Sequence, residues 1–248
     1  MKPLLCSALL LLTFSLHAQA PVAIPIPKEP HHHLVFENEY VRVFRVSVPA
    51  HSATLLHQHD VPYLYVALGP ADVINAVQDK PEVHLVMADG QLGYSPGHFA
   101  HIARTDADLI FNNVTIELLH SQGEPRNICR RVVDGPVMDC SGPPINRIPN
   151  FPDKGLPLFE TGEVFVNEVN VPNGPNHLQM TGGPDALVVV LANPGLSLHL
   201  AGQPSSKILA GEVLWLPAGK KCSVSAGRGV PVRFLTLTFN DGASIAKP

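Results

Sequence analysis

Residues 48–69 read VPAHSATLLHQHDVPYLYVALG, and the fold is decided by how this stretch is read. His57 and His59 stand two apart among Leu55, Leu56, Tyr63, Tyr65, Val66 and Leu68, residue types that favour extended structure. In a strand, positions i and i+2 project from one face, so both imidazoles point the same way. A third histidine, His101, follows in GQLGYSPGHFAHIART, residues 90–105. Closing such strands into a β-barrel gathers three imidazoles, the donors of a metal site. Asp60 falls on the opposite face and reads as a turn residue.

Outward from this stretch the chain continues as short β-rich runs. VFENEYVRVFRVSV, DVINAV, EVHLVM and DLIFNNVTIELL are separated by Gly, Pro, Asn and Asp, with no amphipathic helical period among them. Tyr40 to Val48 alternates, with Val41 and Val43 opposite Arg42 and Phe44. Strands this short and closely spaced predict an all-β sandwich or barrel. Asn113-Val-Thr115 matches a glycosylation acceptor but lies inside an expected strand, so we expect it to be unmodified. Residues 21–33, PVAIPIPKEPHHH, read as a proline-rich extended arm on the surface, its histidines a flexible polar edge. Residues 123–156 are rich in Pro and Gly and read as an ordered but irregular linker.

The N-terminus carries a targeting signal. A short basic start, Met1-Lys2, precedes an apolar run from Leu4 to Leu16, and small residues near Ala18 and Ala20 offer a cleavage site. The run is shorter than the roughly 20 residues that span a bilayer, so residues 1–20 are expected to be a cleaved signal peptide and the mature protein secreted or periplasmic. A net charge of −4 without a basic stripe excludes a nucleic-acid partner. After cleavage Cys129, Cys140 and Cys222 remain. In an oxidising compartment Cys129 and Cys140 are close enough in sequence to pair, free buried thiols being the alternative; Cys222 has no evident partner.

The second half repeats the first. At an offset of 123 (159 minus 36), Phe36-Glu37 falls on Phe159-Glu160, Val41 on Val164, Val43 on Val166, Val48-Pro49 on Val171-Pro172 and Leu68 on Leu191. Gly90 and Pro96 match Gly211 and Pro217 at an offset of 121. This is an internal duplication, covering residues 34–122 and 157–248.

The repeat carries a family resemblance. Gly90-x5-Pro96-x-His98-x2-His101 and Gly211-x5-Pro217-x-Gly219-x2-Cys222 resemble the second signature of the cupin superfamily, and His57-Gln58-His59 resembles the opening of the first. The resemblance implies two tandem jelly-roll (cupin) β-barrels, a bicupin. It also implies one divalent metal ion (Fe, Mn, Zn, Ni or Cu) on His57, His59 and His101 in the N-terminal barrel. Here the sequence departs from the family: the usual glutamate falls on Tyr63 or Leu64, the terminal Asn on Thr105 and a glycine on His98. A three-imidazole site keeps the full charge of its ion and favours an anionic ligand or hydroxide. Tyr63 shares strand parity with the histidines and is the candidate catalytic group, its phenol placed to donate a hydrogen bond or shuttle a proton. His51, His84, His98 and His120 read as surface residues or outer partners.

In the second barrel the ligand positions fall on Met180, Gly182 and Cys222, so it is degenerate and expected to be structural, packing on the first or forming a homodimer interface. The first expectation for function is an oxygen-using oxidoreductase of small molecules. The alternatives are a non-catalytic module binding a sugar or another small ligand, and a purely structural bicupin. Fold alone does not choose among them.

Overall fold

The computed structural model describes residues 22–141, 155–171, 177–181, 183–191, 196–200, 205–226 and 231–240. The expected signal peptide, residues 1–20, lies outside the described residues, as do 142–154 of the expected linker, Gly182, and the C-terminal residues 241–248. Among the described residues everything regular is β-structure except one 3-10 turn, Ile26–Lys28, and no helix is long and apolar enough to cross a membrane.

The first half folds into two sheets. One runs Ile24–Pro25, His57–His59, Phe99–Thr105, Ala71–Val77, Val83–Met87, with Ser52–Ala53 also on Phe99–Thr105. The other runs His32–Glu37, Val41–Val48, Phe111–Leu118, Tyr63–Ala67, Leu92–Ser95. The second half repeats the arrangement. A six-stranded sheet runs Arg126–Asn127, Gly155–Glu160, Val164–Val171, Val232–Phe239, Ala186–Val190, Val213–Leu216, and a four-stranded sheet runs His177–Thr181, Lys221–Ala226, Leu196–Leu200, Ser206–Ile208. This is a pair of tandem jelly rolls. The duplication is visible in the register: His57 lies opposite His101 in the first half, and Met180 opposite Cys222 in the second.

The two halves meet through the five-stranded sheet of the first and the six-stranded sheet of the second, and this explains why exposure does not alternate along the central strands. Val41 and Val43 point into a core shared with Val164, Val166, Leu187, Val189, Leu235 and Leu237 of the second half. Phe44, Val46 and Val48, of opposite parity, point into the first barrel. The expected two-faced pattern over Tyr40–Val48 is present, but both faces are buried. At the seam Trp215 stacks on Phe36 (ring centroids 5.8 Å, planes 19° apart) and on Tyr40 (5.6 Å, 24°). Arg233 of the second half bonds Asp89 of the first at 2.8 Å. Gly90, at φ +72°, leaves room for that guanidinium, since a Cβ there would lie 2.4 Å from its Nη2.

The arm differs from expectation, and the described part of the linker is ordered without regular ladders. The arm is not a flexible edge: Ile24–Pro25 pairs in parallel with His57–Gln58, and Ile26 and His32 are buried. Residues 126–141 are laid against the second half, with Arg126–Asn127 paired to Phe159–Glu160 and a disulfide joining Cys129 to Cys140. Buried Asn127 bonds the Val132 and Val133 amides and the Val133 carbonyl, satisfying backbone groups that lack a ladder.

Candidate metal centre

The first barrel has an unusual interior. Along Phe111–Leu118, Val114, Ile116 and Leu118 face the other half, so the inward positions Asn113, Thr115 and Glu117 are polar and nearly fully buried. Along Tyr63–Ala67, Leu64 and Val66 face outward into the shared core, and Tyr63 and Tyr65 face inward. The interior holds a cavity of about 80 Å³ lined by the histidines, these tyrosines, Asn75, Asn113, Thr115 and apolar groups such as Val73 and Met87.

His57, His59 and His101 converge on this cavity, buried at 0, 2 and 9 % exposure. Their ring centroids lie 4.5 Å (57–101), 5.2 Å (57–59) and 5.2 Å (59–101) apart. The outer hydrogen bonds set the tautomers of two of them. His57 Nδ1 donates to the Leu55 carbonyl at 2.9 Å and His101 Nδ1 donates to Asn75 Oδ1 at 2.6 Å, which leaves each Nε2 as a lone pair. Both Nε2 atoms are buried without a hydrogen-bond partner, and so is His59 Nδ1, whose nearest charged group is the Glu117 carboxylate at 3.8 Å. Burial first, then repulsion from neighbouring imidazoles, lowers all three pKa values: His57 to about 4, His101 to about 3, His59 to about 2. The rings are therefore neutral in ordinary buffers, the form that binds a metal.

A fourth imidazole joins them. His32 sits 4.6 Å from His57 and 6.2 Å from His59, centroid to centroid, and donor atoms of these three lie within 4.8 Å of one another. The sequence reading missed His32 because only the parallel pairing of the arm brings it inward. Glu29 accepts from His32 Nδ1 at 2.6 Å, from His31 Nδ1 at 2.9 Å and from the Leu55 amide at 3.1 Å. Burial works to raise the Glu29 carboxyl, but these bonds prevail and hold it at about 2.

Tyr63 lies in the same cavity, its ring stacked on His59. Burial pushes its phenol well above the ordinary range, so it is a hydrogen-bond donor rather than a phenolate. Glu117, also missed, stands opposite Tyr63 in register, bonds Arg42 at 3.1 Å and is raised by burial against that pairing. His98 occupies the signature's glycine position with a left-handed φ of 61°, as Gly219 does at 75° in the second half; the backbone shape survives the substitution. His51, His84, His98 and His120 are exposed.

Among solved structures the chain resembles AerE from Microcystis aeruginosa, with TM-score 0.60 and 12% identity over 89% of this chain and 98% of that one. Protein Ylba from E. coli gives 0.54 and 8% over 89% and 88%. A variant oxalate decarboxylase from Bacillus subtilis gives 0.51 and 12% over 82% and 70%. By fold this chain is a pair of tandem jelly-roll barrels, and the likeness at 8–12% identity shows the fold alone. No protein-family model matches the sequence, and no curated protein matches it. In the bicupin's second barrel the interior is filled by Val169, Val171, Val188, Val190, Val224 and Phe234 around Cys222, which is 2% exposed. Among the described residues no group of metal-ligand side chains occurs there.

Proposed function

We propose that this bicupin is an exported metalloprotein whose N-terminal barrel holds one divalent ion on His57, His59 and His101 and presents it to a small, anionic molecule. One observation carries the reading: three buried imidazoles each leave a nitrogen without a partner beside one cavity. An unsatisfied buried polar atom costs about 1–3 kcal/mol, a penalty that a bound cation removes. Imidazole donors suit Fe, Mn, Zn, Ni or Cu. The likeness to oxalate decarboxylase, a protein with Mn(II) centres, supports a divalent ion and a small acid as the ligand.

When bound, the ion supplies a Lewis acid that holds an anion and lowers the pKa of water. The chain supplies the rest. Asn75 and the Leu55 carbonyl fix the His101 and His57 rings, and Tyr63 donates a hydrogen bond to the ligand. Val73 and Met87 on the wall keep bulk water out. We assign the chemistry to oxidoreduction of a small acid with dioxygen. A binding module without turnover is the second reading, because it needs the same site. A cavity of about 80 Å³ against the roughly 300–1,000 Å³ typical of drug-sized ligands favours a ligand of few atoms over a sugar in either case.

Export is supported by the apolar run from Leu4 to Leu16 and by the Cys129–Cys140 disulfide, a bond of oxidising compartments. Elemental analysis of the mature protein tests the core of the reading. Close to one transition metal per chain is expected, lost in His57→Ala and His101→Ala; a protein that stays metal-free when Fe(II), Mn(II) and Zn(II) are offered refutes it. Oxygen uptake with small carboxylic acids separates the two readings.

A further inference from the structure

The cupin-type reading takes its ligands from the barrel strands, yet the arm contributes an imidazole to the same point. We propose that His32, oriented by Glu29, is a fourth protein ligand of the ion, so that metal binding fastens residues 24–32 to the barrel wall. This rests on the metal-binding reading of the first barrel and deepens it.

Distances favour the assignment. Donor atoms of His32, His57 and His59 lie within 4.8 Å of one another, while neighbouring nitrogens around a tetrahedral ion at 2.0–2.1 Å are about 3.4 Å apart. A movement of up to about 0.8 Å per ring therefore brings these three donors to the spacing of one cation. His32 Nδ1 is committed to the Glu29 carboxylate, and the His32 side chain is 5% exposed. His32 also lines the cavity that His57, His59 and His101 share. A carboxylate that orients an imidazole and raises its basicity is the usual outer support of a metal-bound histidine. Glu29 thus brings a negative charge to a site whose strand position Tyr63 has no carboxylate.

The arm is wired to the other ligands as well. Ile24 N donates to the Leu56 carbonyl at 3.0 Å, and Ile24 pairs in register with His57. Leu55 joins Glu29 to His57 through its own backbone: its amide donates to Glu29 Oε1, and its carbonyl accepts from His57 Nδ1. Ile26, 2% exposed, anchors the turn among Phe44, Val46 and Ala103. Pulling the arm away would break the Glu29 and Ile24 bonds and uncover the cavity side of His57.

The test uses the full mature chain, stripped of metal and titrated with Zn(II) against a chelator, with hydrogen exchange followed by mass spectrometry. His32→Gln is the informative variant, because a glutamine amide still donates to Glu29 but is a poor ligand. We expect His32→Gln to weaken Zn(II) at least tenfold and Glu29→Gln to weaken it about 10–100-fold. In the wild type Zn(II) should slow exchange at residues 24–32, and in His32→Gln that slowing should vanish while the strands at 41–48 and 111–118 stay protected. If His32→Gln proves unfolded by circular dichroism, Glu29→Gln carries the same comparison. Equal Zn(II) affinity and equal slowing of the arm in wild type and variant would overturn the assignment while leaving a three-histidine site intact. A wild type that takes up no Zn(II), Mn(II) or Fe(II) would instead remove the underlying metal reading.

Discussion

The ring of Tyr63 lies against that of His59, centroids 4.1 Å apart and planes 22° from parallel. The stack fixes both groups, so the hydroxyl can be removed without moving the imidazole. Tyr63→Phe should bind metal within about threefold of wild type. Formate bound to the metal-loaded protein should weaken by roughly tenfold or more, the worth of one hydrogen bond to a charged group, about 1.5–3 kcal/mol. Unchanged formate affinity would place Tyr63 in the wall of the cavity and out of the chemistry.

The metal-free protein should lose stability in mild acid. His57, His101 and His59 titrate at about 4, 3 and 2 when folded, against an ordinary 6.5. Their folded pKa values are depressed, so the stabilisation is complete above pH 6.5 and drains away below it, until pH falls through the folded values. At pH 5 each neutral histidine forfeits up to about 2 kcal/mol, because the unfolded chain takes up protons that the folded one refuses. Thermal unfolding at pH 7.5 and pH 5 checks this, and added metal should oppose the drop. A melting temperature indifferent to pH over that interval contradicts the buried, neutral state of the cluster.

How much of this was legible beforehand depended on how local each signal was. His57-x-His59 needs only the two-residue period of a strand, and the duplication needs only matching residues, so the barrels and three of the imidazoles could be read directly. His32 could not be, because its position depends on a parallel pairing between Ile24 and His57 that no local pattern encodes. Glu117 was hidden for another reason. With the second half covering the outer face, its strand turns apolar residues outward and polar ones inward, the reverse of a free-standing barrel. Asn113, Thr115 and Glu117 alternating with Val114, Ile116 and Leu118 were the available clue.

Thiol counting probes both the disulfide and the processing of the N-terminus. With Cys129 and Cys140 joined and Cys222 buried, its thiol pushed up to about 11 by burial, the folded protein lacking residues 1–20 should react with no thiol reagent. Denatured without reductant, it should show one thiol per chain if residues 1–20 are removed and two if Cys6 is retained. Reduction of the disulfide should cost about 3 kcal/mol in the chain-entropy model.

Trp215 is the chain's one tryptophan and sits on the seam between the halves. Its fluorescence should therefore follow global unfolding, with a midpoint coinciding with that from circular dichroism. Trp215→Ala should destabilise by about 2–3 kcal/mol, somewhat under the range for a fully buried aromatic because the ring is partly exposed. Two separate transitions would show that the halves melt independently.

The shared core also bears on how such a chain can change over generations. A cut near residue 122 would leave Val41, Val43, Leu64, Val66, Val114 and Ile116 as a greasy slab open to water. The second half is thus the lid on the first half's back, and deleting it would take the first half down with it. Val164, Val166, Leu187, Val189, Leu235 and Leu237 are held in place by what they cover, whatever else the second half comes to do.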